Sequence, residues 1–293
     1  MAPGRSAGYD APMLNVSRLV GTHDVLLVTL DTLRYDVAAR LHAGGRTPFL
    51  SAVLPDGGWE RRHTPGSFTF AAHAAFFAGF LPTPAAPGRH PRPFALRFPG
   101  SETTAPETAV FDAPDIVAGF RGRGYHTLCV GGVGFFNKLT PLGGVLPGLF
   151  DESYWAPELG VTDPRSTENQ VRLLLGRVAE HPPLRRVFAF LNVSAVHQPN
   201  RFYLPGAADD TIESHAAALE YADAHLGRLF AGLRTRGPWL VVICSDHGTA
   251  YGEDGYTGHR LAHPSVWNVP YAEFVLNHST DAPTEPVEKR ENE

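Results

Sequence analysis

The chain has 293 residues, of which 43% are hydrophobic and 19% are charged, and its formal net charge is −5. This balance is typical of a globular protein with one large domain, and it argues against broad binding to nucleic acid or to an anionic membrane. Since no basic segment precedes an apolar one at the start, and no run approaches about 18 apolar residues, we expect a cytoplasmic enzyme.

Apolar runs typical of strands alternate with helical patterns along the chain. The predicted strands are 24–30, 125–131, 186–192, 238–244 and 270–276. The predicted helices are 47–54, 70–80, 113–123, 166–180 and 211–234. Alternation of this kind predicts an α/β fold of three layers, with helices on both faces of a mostly parallel sheet. Both cysteines, Cys129 and Cys244, lie in strand-like runs, so we expect two core thiols and not a disulfide or a catalytic thiol.

The ends of the chain and one internal stretch differ from this pattern. The sequence of residues 1–22 indicates a loosely ordered lead-in. Residues 278–293 are polar and charged, so we expect a disordered tail there. The catalytic domain is then expected over 23–277. The proline-dense stretch 81–108 is too long for an ordinary connection. It predicts a lid over the site or a mobile insertion.

Two strand-like runs end in residues that bind metals. The first stops at Asp31, and the other stops at the neighbours Asp246 and His247. Ligands of open α/β sheets bind at the carboxyl ends of the strands, where these three side chains would meet. Carboxylate oxygen and imidazole nitrogen suit a divalent cation, so we predict a metal site there, with zinc or manganese as the ion.

A threonine lies just ahead of an alanine-rich helical segment. Thr69 precedes Ala71 to Ala78, so its hydroxyl would lie at a positive helix N-terminus, where an anionic substrate fits. We expect Thr69 to be the fourth metal ligand. A hydroxyl on a metal loses its proton readily, so Thr69 could attack phosphorus or sulfur and form a covalent intermediate. The alternative is that Thr69 is only a helix N-cap.

Six segments resemble, in order and spacing, the sulfatase branch of the alkaline phosphatase superfamily. They are LLVTLDTLRYD, FTFAAHAAFFAGFLP, VHQP, YADAHLGRL, VVICSDHG and the GH ahead of NVPY, and they span about residues 24–276. The resemblance implies an alkaline-phosphatase-like fold and a nucleophile ten places before Gly79, which is Thr69. True sulfatases carry Cys or Ser there for conversion to formylglycine. A threonine is similar to the phosphodiesterase, phosphonate-hydrolase and lipoteichoic-acid-synthase members.

The resemblance carries over unevenly to the metal ligands. Asp31 matches the first metal aspartate, but Thr32 stands in place of the second, while Asp246 and His247 match the SDHG pair. The expected carboxylate of a second zinc site is missing. The resemblance therefore implies one tight metal site, with a second one possible through His259.

The remaining candidate residues are expected around the substrate. The resemblance implies that His197 contacts the transferring group and that His259 protonates the leaving group, unless His259 completes a second metal site. The candidate substrate contacts are His73, Asn137, Lys138 and Asn192. For His197 and His73 a purely structural role is the alternative. Three histidines match no motif and are expected to be core or surface residues: His215, His225 and His263. Arg34 and Asp36 are expected to form an ion pair at a helix start.

Together these features predict a metal-dependent hydrolase or transferase that acts on a phosphate or phosphonate ester through Thr69. The expected substrate is a small anionic ester. Sulfate-ester hydrolysis is the first alternative, although a plain threonine cannot supply the formylglycine hydrate. The second alternative is a non-catalytic protein that keeps the fold and binds a phosphorylated partner.

Overall fold

The computed structural model describes residues 14–79 and 115–279. Its strands, in chain order, are β1 Asp24–Leu30, β2 Glu60–His63, β3 His126–Val130, β4 Glu152–Tyr154, β5 Val187–Val193, β6 Trp239–Cys244, β7 Ala250–Tyr251, β8 Thr257–Gly258 and β9 Asn268–Leu276. Its α-helices are α1 Val16–Leu19, α2 Tyr35–Ala43, α3 Pro48–Ser51, α4 Thr69–Ala78, α5 Ile116–Gly122, α6 Pro141–Val145, α7 Ser166–Ala179, α8 Ile212–Arg234 and α9 Pro264–Trp267.

Seven strands form one sheet in the order β2-β9-β6-β1-β5-β3-β4, and β7 and β8 form a separate hairpin. Strand β1 lies at the centre and is parallel to both of its neighbours, β5 and β6. Strands β3 and β4 extend the parallel part, whereas β9 runs antiparallel to both of its neighbours, β6 and β2. The prediction of a mostly parallel sheet is confirmed.

The alternating residues of the central strands divide the core into two. Leu26, Val28 and Leu30 of β1 join one buried cluster with residues of α2, α7 and α8. Val25 of β1 and Phe190 of β5 join the other cluster, on the side of α4 and α5. Because each face is covered by helices, β1 and β5 are apolar almost throughout, as is typical of strands buried on both sides. The three-layer prediction is confirmed.

The long predicted elements are found within a few residues of their expected bounds, but the predicted helix 47–54 is much shorter. It contains only the single turn of α3, followed by turn residues. Pro55 disfavours helical conformation in Leu54, the last residue of the predicted helix, although the helix already ends at Ser51. Both cysteines are buried free thiols, which confirms the expected core role. Burial raises the pKa of the Cys244 thiol to about 12.

The predicted lid at 81–108 lies outside the described residues, and so does nearly all of the predicted tail. The bounds of the catalytic domain stay predictions. Part of the lead-in is described: it contains α1, and Gly21 N donates to the Tyr125 hydroxyl at 2.7 Å. Within 14–79 and 115–279, no helix combines the length and the apolar character needed to cross a membrane.

Candidate metal centre and its surroundings

Asp31, Asp246 and His247 meet at the carboxyl ends of the adjacent parallel strands β1 and β6. Their ligand atoms all lie within 4.8 Å of one another. His247 Nε2 lies 3.9 Å from Asp31 Oδ1 and 3.4 Å from Asp246 Oδ2. All three side chains are fully buried. We refer to these three residues as the metal cluster.

The unsatisfied atoms of the metal cluster fit a divalent cation. Asp31 Oδ1 and Asp246 Oδ2 are buried without a hydrogen-bond partner, which is costly for a charged oxygen. His247 Nδ1 lies 2.9 Å from the Gly248 carbonyl oxygen and donates to it. This hydrogen bond leaves a lone pair on Nε2, which faces both carboxylates. Two oxygens and one imidazole nitrogen match the donors that zinc and manganese take in proteins.

Burial also changes the proton affinities of the metal cluster. Burial and, to a lesser extent, the nearby Asp246 charge together raise the pKa of Asp31 to about 6. Burial raises the pKa of Asp246 to about 7, and it lowers the pKa of His247. Without a cation, two adjacent buried carboxylates therefore retain protons to unusually high pH.

The second oxygen of each carboxylate is held by the protein. Asp31 Oδ2 accepts a hydrogen bond from Asn192 Nδ2 at 3.0 Å. Asp246 Oδ1 accepts from the backbone N–H of Thr32 at 3.1 Å and from that of His247 at 3.0 Å. Thr32 has a φ of +65°, which is an uncommon and strained conformation for a β-branched residue. This strained conformation aims the Thr32 N–H at the carboxylate.

Thr69 is the first residue of α4, and its hydroxyl contacts the metal cluster. Thr69 Oγ1 lies 3.3 Å from His247 Nε2, and the residue is 3% exposed. The N-cap of α4 is Phe68, so the alternative reading of Thr69 as an N-cap is wrong. Gly66 lies against the first turn, where an added Cβ would come within 2.6 Å of Ala72 N. The absence of a side chain at Gly66 lets this turn approach the site.

Two further histidines lie beside the metal cluster. The centre of the His259 ring is 4.6 Å from that of His247 and 5.9 Å from that of His197. Burial, together with the electrostatic effects of His247, His197 and Arg260, lowers the pKa of His259 to about 3. His259 is therefore neutral at pH 7 when no metal or substrate is bound. A neutral imidazole suits a metal ligand or a base better than the predicted acid.

His73 has a structural position in place of the predicted substrate contact. Its Nδ1 lies 2.8 Å from the Thr69 carbonyl oxygen, and its Nε2 lies 3.0 Å from the Thr29 hydroxyl. The ring is fully buried against phenylalanines, namely Phe76, Phe77, Phe136 and Phe190. Burial lowers the pKa of His73 to about 3. The neutral ring therefore forms no ion pair with Asp246, although Nδ1 lies 3.7 Å from Asp246 Oδ2.

Asn192 is also occupied by the protein. Its Nδ2 donates to Asp31 and, at 3.1 Å, to the Thr29 hydroxyl, while its Oδ1 accepts from the backbone N–H groups of Gly132 and Val133. Because both ends of the side chain are engaged by the protein, the geometry favours a role for Asn192 in orienting Asp31, and the predicted substrate contact is not supported.

Asn137 and Lys138 do not reach the metal cluster. Lys138 Nζ donates to Ser153 of the edge strand β4, 3.0 Å from both its carbonyl oxygen and its hydroxyl. Through β3 and β5, Ser153 is in register with Leu27 of β1. Three strand spacings separate the two, or about 14 Å. Asn137 Oδ1 accepts from the backbone N–H of Leu139 at 2.9 Å. Since both groups are engaged near this edge, their predicted substrate role is not supported.

Arg34 and Asp36 form the expected ion pair at the start of α2. Arg34 Nη2 lies 2.6 Å from Asp36 Oδ2, and Arg34 is the N-cap residue of α2. The guanidinium also donates to Glu253 in the loop of the β7–β8 hairpin. Three histidines match no motif. His215 and His225 are buried, and His263 is the N-cap residue of α9.

Arg260, which was not among the candidate residues, lies beside the predicted site. Its backbone N–H donates to the Ser67 carbonyl at 2.9 Å, and its guanidinium lies 5.7 Å from the centre of the Phe68 ring. Its positive charge helps to lower the pKa of both His247 and His259. Arg260 thus places a positive charge near His247 and His259. The signal was its position directly after the histidine of the GH motif.

Several known structures have a similar fold at low sequence identity. The periplasmic domain of EcEptC from Escherichia coli, in complex with zinc, has a TM-score of 0.60 and 13% identity, over 87% of this chain and 74% of that chain. The lipoteichoic acid synthase LtaP from Listeria monocytogenes has a TM-score of 0.57 and 15% identity, over 88% and 66%. An alkaline phosphatase superfamily protein from Vibrio parahaemolyticus has a TM-score of 0.54 and 16% identity, over 87% and 60%.

At these identities the structures establish the fold alone, which is alkaline-phosphatase-like. No curated protein sequence matches the chain. The family model described as Sulfatase matches residues 23–273, which is most of the chain. The chain therefore belongs to the sulfatase family.

Proposed function

We propose that this protein is a metal-dependent phosphoryl-transfer enzyme in which Thr69 is the nucleophile. The observation that carries the proposal is the contact of the Thr69 hydroxyl with His247, beside two buried carboxylate oxygens that lack partners. Asp31, Asp246 and His247 would hold the cation, with Thr69 as a further ligand. When bound, the dication would lower the pKa of the hydroxyl and offset negative charge on the substrate.

The protein residues then divide the remaining tasks. Thr69 Oγ1 forms a bond to phosphorus while the bond from phosphorus to the ester oxygen breaks, so the alcohol leaves and takes up a proton. Water or an acceptor hydroxyl later takes the phosphoryl group from Thr69. His197 and His259 would donate or accept hydrogen bonds around the transferring group, and Arg260 would add positive charge; the nearness of the two imidazole rings supports this assignment. Such preorganised groups stabilise developing charge in a transition state.

The relatives support this class of substrate without naming it. One similar structure is called a lipoteichoic acid synthase, and another belongs to the EptC phosphoethanolamine transferases. A phosphate ester is favoured over a sulfate ester because threonine cannot be matured to formylglycine. The cytoplasmic location stays a prediction, and the EptC domain of the comparison is described as periplasmic.

The test compares Thr69→Val with Thr69→Ser in turnover of an aryl phosphodiester at saturating zinc or manganese. Valine keeps the branched shape and removes the hydroxyl, so we expect a loss of at least about 10³ in kcat. Serine should keep measurable turnover and form a covalent phosphoryl-enzyme that mass spectrometry detects. Near-normal turnover of Thr69→Val would contradict the nucleophile. A wild-type protein that binds metal and aryl esters but turns over neither phosphate nor sulfate would be the non-catalytic alternative.

A further inference from the structure

A second group of side chains that can bind a metal lies at the amino ends of the parallel strands. The metal cluster lies at their carboxyl ends. His126 is the first residue of β3, Glu152 is the first residue of β4, and His181 follows the C-terminus of α7. The amino ends of parallel strands lie at the edge away from Asp31 and Asp246. We refer to His126, Glu152 and His181 as the amino-edge cluster. None of these residues belongs to the proposed catalytic site.

The distances within the amino-edge cluster are close to those of a metal site. One ligand atom from each residue lies within 4.8 Å of the others. Glu152 Oε1 lies 2.8 Å from His126 Nε2 and 3.7 Å from His181 Nε2. Ligands at tetrahedral zinc, with bonds of about 2.0–2.1 Å, are about 3.4 Å apart. The observed distances fall on either side of this value, so small side-chain rotations would suffice.

Two neighbouring groups, Asp151 and Tyr154, lie against these ligands. Asp151 Oδ2 lies 3.7 Å from His126 Nδ1, and Asp151 is itself fixed by the Thr127 N–H at 3.0 Å and by Arg121 Nε at 2.6 Å. A carboxylate behind a histidine is a common support for a metal ligand. The Tyr154 hydroxyl donates to Glu152 Oε2, which leaves Oε1 to face the two imidazoles.

One ligand atom of the amino-edge cluster lacks a partner. His181 Nε2 is buried without a hydrogen bond, although its ring centre lies only 4.1 Å from that of His126. A protein rarely leaves such a nitrogen unsatisfied. A cation between His181, His126 and Glu152 would satisfy it. Three protein ligands would leave a fourth position for water, because all three side chains keep some exposure.

We propose that His126, Glu152 and His181 bind a divalent transition metal, for which zinc is the best fit, at a site separate from the catalytic cluster. The ion would link three segments of the chain: the start of β3, the start of the short strand β4 and the turn after α7. Its role would be structural, since the nucleophile and the metal cluster lie at the opposite edge.

The test uses the full chain with the metal cluster disabled by Asp31→Asn together with Asp246→Asn. After removal of metal by a chelator, zinc is titrated in competition with a chromophoric chelator, and bound metal is counted by elemental analysis. We expect one zinc per chain in this background and none after addition of His181→Gln. The matched control is His278→Gln, which alters an exposed histidine outside the cluster and should leave one zinc bound.

A second measurement guards against variants that merely unfold. Zinc should raise the Tm of the background protein, and Glu152→Gln, which keeps the size of the side chain, should remove this increase while the far-UV circular dichroism is retained. A background protein that binds no zinc at micromolar concentrations would overturn the proposal. Retention of one zinc by both His181→Gln and Glu152→Gln would also overturn it.

Discussion

At the scale of single residues, each carboxylate of the metal cluster has one oxygen held by the protein and one without a partner. Asn192 and the Thr32 N–H fix the held oxygens. The unpartnered oxygens face His247 Nε2. The same arrangement that prepares the cluster for a cation is therefore unfavourable when the cation is absent.

The Asp246→Asn variant should separate the stabilisation by a bound cation from the cost of the charged carboxylate when the cation is absent. Burial raises the pKa of Asp246 from 3.8 to about 7, so at pH 8 the metal-free protein bears the full cost of ionising it. Asparagine can still accept from the Thr32 N–H but carries no charge. We expect the metal-free variant to be more stable than wild type, by on the order of 2–4 kcal/mol, and to lose the stabilisation by added metal.

Thermal unfolding with chelator and with excess zinc would measure both changes. Asp56→Asn, which alters an acidic residue in an exposed turn, is the control and should change neither value. A metal-free Asp246→Asn protein that is less stable than wild type would show that the carboxylate has a structural partner. In that case the raised pKa would not reflect a prepared cation site.

At the scale of elements, the β7–β8 hairpin carries His259 to the site. Arg34, whose side chain is only 8% exposed, joins this hairpin to the start of α2 through Glu253 and Asp36. The predicted metal ligands lie just beyond β1 and β6, at strand ends that the sheet itself holds in place. Arg34 approaches them through Nη1, which lies 3.5 Å from the Thr249 carbonyl oxygen. Arg34 is therefore expected to position His259 without holding the metal.

Replacement of Arg34 by methionine should thus lower turnover while the metal content is kept. We expect kcat to fall by about tenfold or more, because small displacements of a catalytic group are costly. The matched control is Arg62→Met, which breaks the exposed ion pair with Glu60 and should have almost no effect. Steady-state kinetics with elemental analysis would test this. Loss of metal in Arg34→Met would contradict the division of roles.

The same scale shows what could be predicted from the sequence. Strands β1, β5 and β6 were predictable because burial on both faces requires continuous apolar runs. Strand β2 was missed, since its sequence is ERRH and its pairing with β9 is a tertiary contact. The meeting of Asp31, Asp246 and His247 could be predicted because they lie just beyond the ends of two strands that the pattern made parallel neighbours. The errors at Lys138 and His73 arose because a motif gives the position of a residue but not the neighbours that engage its side chain.

At the scale of the whole molecule, the two candidate metal sites lie at opposite edges of one sheet and differ in charge. The metal cluster contains two carboxylates and one histidine, whereas the amino-edge cluster contains one carboxylate and two histidines. Zinc added to the wild-type protein would therefore report on both sites. The His181→Gln variant isolates the catalytic one, because it removes a ligand of the other site alone.

In the His181→Gln variant, the free energy of unfolding should depend on pH in opposite directions with and without zinc. The pKa values of Asp31 and Asp246 are raised from 3.8 to about 6 and about 7, so the metal-free folded state binds more protons than the unfolded state in this range. Its stability should consequently fall as the pH rises from about 4 to about 7, as far as these two groups determine it.

Zinc reverses this dependence, because binding requires both carboxylates to be ionised and displaces their protons. The increase in Tm caused by zinc should be small near pH 5, grow through pH 6 to 7 and level off above that. Differential scanning calorimetry of His181→Gln, at several pH values with chelator or with zinc, would measure the difference directly. In Asp31→Asn with His181→Gln, the effect of zinc should vanish at every pH. A zinc effect that is equally large at pH 5 and pH 8 in His181→Gln would mean that the ion binds without displacing protons, and hence not between Asp31 and Asp246.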